Sequence, residues 1–116
     1  MFLPSGTRIY LAVGSTDMRK AINGLSILVE DELAMNPLSG HLFAFCNRRR
    51  NMVKILCWDR NGFCLWHKRL EKHHFTWPES RDQVLQLDTR QLNWLLEGLD
   101  IGSVNAHENL LYETMV

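Results

Sequence analysis

The sequence predicts an α+β domain: an antiparallel β-meander of four to five strands with one long and one shorter helix packed on it. Three observations carry that reading. Apolar residues recur at spacings of three and four between Met18 and Leu33, and again between Leu92 and Leu99, which is helical periodicity. Between these stretches lie short runs rich in aromatic and β-branched residues, bounded by polar turns. Asn61-Gly62 separates two of the runs, a strong hairpin signal because both residues tolerate the positive φ of a type I′ turn. The order β, long α, meander, α places helices over an antiparallel sheet.

RIYLAV (8–13) mixes β-branched and aromatic residues and stops at Gly14, as a short strand does. Ser15, Thr16 and Asp17 offer three N-caps for the helix that follows. Within MRKAINGLSILVEDELAM, Met18, Ile22, Leu25, Val29 and Leu33 form the apolar stripe, with Arg19, Lys20, Asn23, Ser26 and Glu30 largely opposite. Gly24 in that helix costs about 1 kcal/mol against alanine and points to a close approach of the helix backbone to a neighbouring surface. Pro37 bars residue 36 from αR geometry and, with Gly40, ends the helix.

HLFAFC (41–46) is apolar on both faces and suits a central strand. MVKILCW (52–58) and FCLWHKRL (63–70) follow, with NRRRN and DRNG as the connections. FTWP (75–78), stopped by Pro78, is a fourth-strand candidate after the meander, and VLQL (84–87) a fifth. Asp88 and Gln91 read as a capping box opening the second helix, whose buried stripe is Leu92, Leu95, Leu96 and Leu99. Residues 1–100 then make a single domain. Residues 101–116 are a C-terminal tail, read as a short helix from Asn105, a mobile arm or an oligomer contact.

A chain of 116 residues supports one hydrophobic core. No apolar run approaches the roughly 20 residues needed to cross a bilayer, and MFLPSGTR lacks a basic region followed by an apolar stretch. A cytoplasmic location is the expectation. The three cysteines, an odd count, read as reduced thiols rather than as a disulfide framework. The formal net charge is zero, yet residues 1–72 hold eleven Lys/Arg against six Asp/Glu, and residues 73–116 hold two against seven. Most of the positive excess lies in residues 48–72, with eight basic and two acidic side chains. Such asymmetry marks a polyanion-binding face, or else a solvated hairpin docked near the acidic third of its own chain.

CWDRNGFCLWHK (57–68) collects the residues that look reactive. Cys57, Cys64, His67 and His73 have the wrong spacing for zinc. Structural sites use two close ligand pairs on tight turns, whereas Cys64 and His67, three apart on a strand, point to opposite faces. Cys57 and Cys64 face each other across the hairpin if DRNG acts as a four-residue loop. If Asn61-Gly62 is the loop, Cys57 faces Trp66. In both cases the thiols fit a packing role, and no metal or cofactor is expected. Redox sensing by the pair has no further support. Asp17 and Asp59 are the carboxylates available for a two-metal nuclease, but a cap and a turn explain them more simply. His67, His73 and His74 lack a nucleophile setting such as G-x-S-x-G, and no phosphate-binding glycine loop is present.

Nucleic acid is the remaining chemistry. Arg48, Arg49 and Arg50 share one hairpin tip, and Lys54, Arg60, Lys68, Arg69 and Lys72 lie on the adjacent strands and turn. Such side chains neutralise phosphates and release counterions. Trp58, Trp66 and Trp77 are interleaved, and an exposed tryptophan stacks on an unpaired base, although core packing accounts for at least two of the three. Long basic stems also cover apolar sheet surface. The arginine triplet stands out, because a loop tip has little structural need for three like charges.

Four blocks, TDMRKAINGLSILV, NPLSGHLFAFCNRRRNMVKIL, WDRNGFCLWHKRLEKHHFTWP and LDTRQLNWLLEGLD, cover nearly the whole chain to residue 100. In that order the chain resembles the accessory protein, the TnpB-type second open reading frame, of the insertion-sequence-66 family of bacterial transposable elements. This is distinct from the RNA-guided nuclease sharing those letters. The resemblance implies a cytoplasmic, non-catalytic accessory protein of DNA transposition, with strand transfer left to a separate, larger transposase. Its motif positions fall on Asp17, Arg19, Lys20, Gly24, Asp59, Asn61, Gly62, Phe63, Lys68, Arg69, Leu70 and Glu71. DNA at the element's ends is the expected partner of the basic hairpin. The alternative is a module that bridges the transposase or other element-encoded proteins, or another copy of itself, through Arg19, Lys20, Trp58, Trp66 or the tail.

Overall fold

In the computed structural model, which describes residues 6–98, five strands form one sheet in the order β4-β3-β2-β1-β5. The strands are β1 (Ile9–Ser15), β2 (Leu42–Cys46), β3 (Met52–Asp59), β4 (Gly62–Arg69) and β5 (Val84–Leu87). Helix α1 (Ile22–Asp31) lies between β1 and β2, and α2 (Thr89–Leu96) follows β5. The α+β class stands and the sheet is mostly antiparallel, but it is mixed: β1 and β2 run parallel, Ile9 beside Leu42. Helix α1 carries the chain back to the starting end of β1, and a strand launched from there must run the same way. Hydrophobic periodicity carries no information about that direction.

The helices cover opposite faces. Leu25, Leu28 and Val29 of α1 meet Ala12, Phe43 and Phe45 on one side. Leu92 and Leu95 of α2 meet Ile9, Leu11 and Ile55 on the other. Strand β2 is buried at every position, with Phe43 and Phe45 toward α1 and Leu42, Ala44 and Cys46 toward α2. That is why HLFAFC shows no alternation of polar and apolar residues.

Four expected details differ. FTWP is not a strand. The segment after β4 crosses the α2 face from one sheet edge to the other, with Phe75 and Trp77 inserted into the core. Trp77 Nε1 donates to the carbonyl of Ala12 at 2.9 Å. Helix α1 begins only at Ile22, on an Ala21 N-cap that makes no side-chain capping bond, so none of Ser15, Thr16 and Asp17 caps it. It ends at Asp31, short of Pro37, and Ala34 there holds a left-handed φ of 54°. A Cβ on Gly24 meets Cβ and Cγ of Lys20 at 3.2 Å, so the close approach is to the chain's own preceding turn.

The capping box of α2 forms as read: Asp88 Oδ1 accepts from Gln91 N at 2.7 Å and Gln91 Oε1 accepts from Asp88 N at 2.9 Å. In the β3–β4 hairpin Asp59 pairs with Gly62 and Cys57 with Cys64. The tight turn centres on Arg60, which carries the positive φ of 49° expected of Asn61-Gly62, and Asn61 N donates to the carbonyl of Asp59. Among the described residues no helix is long and apolar enough to cross a membrane. The tail from residue 101, with its expected helix from Asn105, and Leu99 of the α2 stripe lie outside the described residues.

Candidate functional site

Strands β1 and β2 deliver two loops to the same end of the sheet, 16–21 and 47–51. In sheets with parallel strands, the crevice beyond their carboxyl ends is the usual place for a ligand. Strand β1 approaches that end irregularly. It takes four steps from Leu11 to Ser15 where β2 takes two from Ala44 to Cys46. A bulge of this kind re-aims the residues that follow it. Thr16 N then donates to the carbonyl of Cys46 at 2.7 Å, which pins the loop to β2.

The loop itself is held from both sides. Asp17 Oδ1 accepts from Arg19 N at 2.9 Å, and Asp17 Oδ2 accepts from Arg19 Nη2 at 2.7 Å. Hydrogen bonding from Arg19, first from its side chain and then from its backbone, lowers the Asp17 carboxyl from 3.8 to about 2. From β3, Lys54 Nζ donates to the carbonyls of Met18 and Lys20 at 2.8 and 2.9 Å.

The second loop is a turn closed by Arg50 N donating to Asn47 O at 3.1 Å, so Arg48 and Arg49 take its two central positions. The side chain of Asn47 ties the turn internally: Oδ1 accepts from Asn51 N and Met52 N, both at 3.1 Å. Arg50, at a φ of 60°, leaves the tip. Its carbonyl accepts from Phe75 N at 2.6 Å, and its guanidinium lies beside the Cys46 thiol. The triplet therefore divides: Arg48 and Arg49 are exposed, and Arg50 is half-buried.

Between the two loops lies an open cleft of about 1090 Å³, walled by residues 15–19 on one side and by Asn47, Arg48, Arg49 and Met52 on the other. Arg19 is matched by Asp17. Arg48 and Arg49 have no hydrogen-bond or ion-pair partner among the described residues, so the cleft carries unbalanced positive charge.

The other basic residues are dispersed. Arg60 sits at the β3–β4 tip, at the end of the sheet where β1 and β2 begin, and contacts Asp59 at 3.8 Å. Lys68 Nζ donates to the carbonyl of Leu96 at 2.9 Å, satisfying the carboxyl end of α2. Arg69 pairs with Glu71 at 3.1 Å at the cleft end of β4, opposite Met52. Lys72 and Lys20 are exposed. Trp77 is buried, Trp58 stacks edge-on against Phe63 at 5.0 Å, and Trp66 stands 37% exposed. Of the partner-contact candidates, Arg19 lines the cleft, Lys20 follows it in the same loop, and Trp58 and Trp66 lie on the hairpin.

The reactive-looking residues separate. Cys57 packs toward α2 with Cys64 opposite it, whereas Leu65, and with it His67 two positions on, faces the α1 side. The four zinc candidates thus do not share one face. Burial raises the Cys46 and Cys57 thiols above their ordinary value, the direction of an inert packing thiol. Asp17 and Asp59 occupy opposite ends of the sheet, so they do not form a two-metal pair. The contributions of Lys54, Thr16 and the two methionines were not legible in sequence. The only hint was that TDMRK and NRRRN each follow a strand.

An α+β domain with a cationic cleft beside a parallel strand pair is thus the class of molecule defined by the fold. The chain belongs to the family described as IS66 Orf2-like protein, which it matches over residues 7–106. It is similar to two uncharacterized proteins of Sinorhizobium fredii (strain NBRC 101917 / NGR234). With y4hO it is 39% identical over 84% of this chain and 87% of that one. With y4jC it is 34% identical over 82% and 81%. No solved structure matches.

Proposed function

We propose that this protein is a non-catalytic accessory factor of insertion-sequence transposition that contacts DNA phosphates through Arg48 and Arg49, with Arg19, Lys20, Arg69 and Lys72 around them. Family membership supports the transposition role. The observation that carries the DNA contact is a pair of exposed arginines, without a partner among the described residues, at the centre of a turn tied down by Asn47. Neither charge meets a partner among the described residues, and both side chains are exposed. Lys54, Lys68 and Arg50 have structural contacts instead, so the DNA contact contracts from the whole basic hairpin to this end of the sheet. Titration of element-end duplex against salt tests it. Arg48→Ala with Arg49→Ala is expected to weaken binding and to reduce the log–log salt slope by roughly 0.9 for each phosphate that is no longer neutralised. An unaltered affinity and slope would overturn the reading.

A second reading rests on Trp66, exposed on β4, the edge strand of the sheet among the described residues. There the protein bridges the transposase, and co-purification that survives nuclease treatment but is abolished by Trp66→Ala would favour it.

A further inference from the structure

We infer that the cleft between loops 16–21 and 47–51 binds unpaired nucleotides of a DNA strand, with phosphates on Arg48 and Arg49 and a base against Met18 and Met52. The inference deepens the DNA-binding reading above and rests on it. A surface built only for the phosphates of a duplex needs no concavity and no apolar wall. This one has both: the cleft of about 1090 Å³ has a methionine on each side, and both are only half-buried. The cleft is open, and its volume lies slightly above the roughly 300–1,000 Å³ of small-molecule pockets. It suits one or more extruded nucleotides, whereas a stacked duplex reaches only its rim.

The chemistry of the walls fits the same ligand. A thioether is polarisable and makes favourable contacts with aromatic rings, and a base offers its π-face only when it leaves the stack. Exposed Ser15 adds a hydroxyl able to bond sugar or phosphate oxygens. The walls are held in place before any ligand arrives. Lys54 fixes the carbonyl of Met18, the side chain of Asn47 fixes the amide of Met52, and Thr16 is pinned to β2. Arg19, neutralised by Asp17, borders the cleft without adding net charge.

Fluorescence anisotropy of three labelled DNAs of one sequence tests the inference: a single strand, a blunt duplex, and a duplex with a short overhang. The single strand and the overhang are expected to bind more tightly than the blunt duplex. Met18→Ala and Met52→Ala should each erode that preference by roughly two- to tenfold, the span of a sulfur–aromatic contact. Arg48→Ala with Arg49→Ala should weaken all three. Should an alanine variant fail to fold, 5-iodouracil placed in the overhang of the unsubstituted complex provides the readout. Photo-crosslinks are expected within residues 15–19 or 47–52. Blunt duplex bound as tightly as the overhang, or crosslinks confined to other segments, would overturn this inference while leaving the DNA-binding reading intact. Binding of none of the three would overturn both.

Discussion

Asp17 shows how one residue changes meaning between sequence and structure. Its position before an amphipathic stretch made it a cap, yet its carboxylate binds the amide and guanidinium of Arg19. Because hydrogen bonding lowers the folded carboxyl from 3.8 to about 2, the stabilisation of this turn is complete above about pH 4. It is lost as the pH falls through that window. NMR titration of the Asp17 carboxyl should therefore show its midpoint near 2, and the Arg19 amide should shift in parallel. Asp17→Asn keeps an oxygen for the amide but removes the charge opposing Arg19. Element-end DNA is then expected to bind more tightly, with a salt slope steeper by up to roughly 0.9. Weaker binding by that variant would mean that the turn needs the carboxylate more than DNA needs the arginine.

Among the elements, the two helices contrast in how their beginnings are written. Asp88 and Gln91 announce α2 in sequence, and both reciprocal bonds form. Asp88→Ala should lower stability by about 0.5 to 2 kcal/mol, read as an earlier midpoint in urea with an unchanged slope. Helix α1 has no such signal, since the apolar stripe that begins at Met18 runs through a turn that is not helical. Met18 joins the α1-side core from outside the helix, and periodicity alone does not separate those cases. Lys68 and Leu70 explain the KRLE block as structure. The lysine satisfies the last turn of α2, and Leu70 N donates to Asn51 O at 2.8 Å, holding the cleft end of the hairpin.

For the whole molecule, the question left by composition was whether the basic segment forms one face. It does not. Strand β3 spans eight residues, so the Arg60 tip lies roughly 26 Å from the arginine turn at about 3.3 Å per residue. That is several times the roughly 8 Å screening length at physiological ionic strength. Arg60→Ala should thus leave DNA affinity and salt slope within error of the unsubstituted protein, measured in the same titration in which Arg48→Ala weakens binding. A weakening by Arg60→Ala equal to that by Arg48→Ala would restore a continuous basic face, one of the two readings open from the sequence.

What the sequence determined by itself was local and periodic: two helices, a buried central strand, the long hairpin, the α2 cap and the family. Each depends on side-chain spacing or on neighbours within a few positions. The tertiary structure alone decided strand direction, which helix covers which face, and the union of TDMRK with NRRRN around a cleft. These follow from the path α1 takes between β1 and β2, and from contacts such as Lys54 to Met18, which join positions 36 apart in the chain. Local spacing encodes which face of an element is apolar, but not which distant loop will share its end of the sheet.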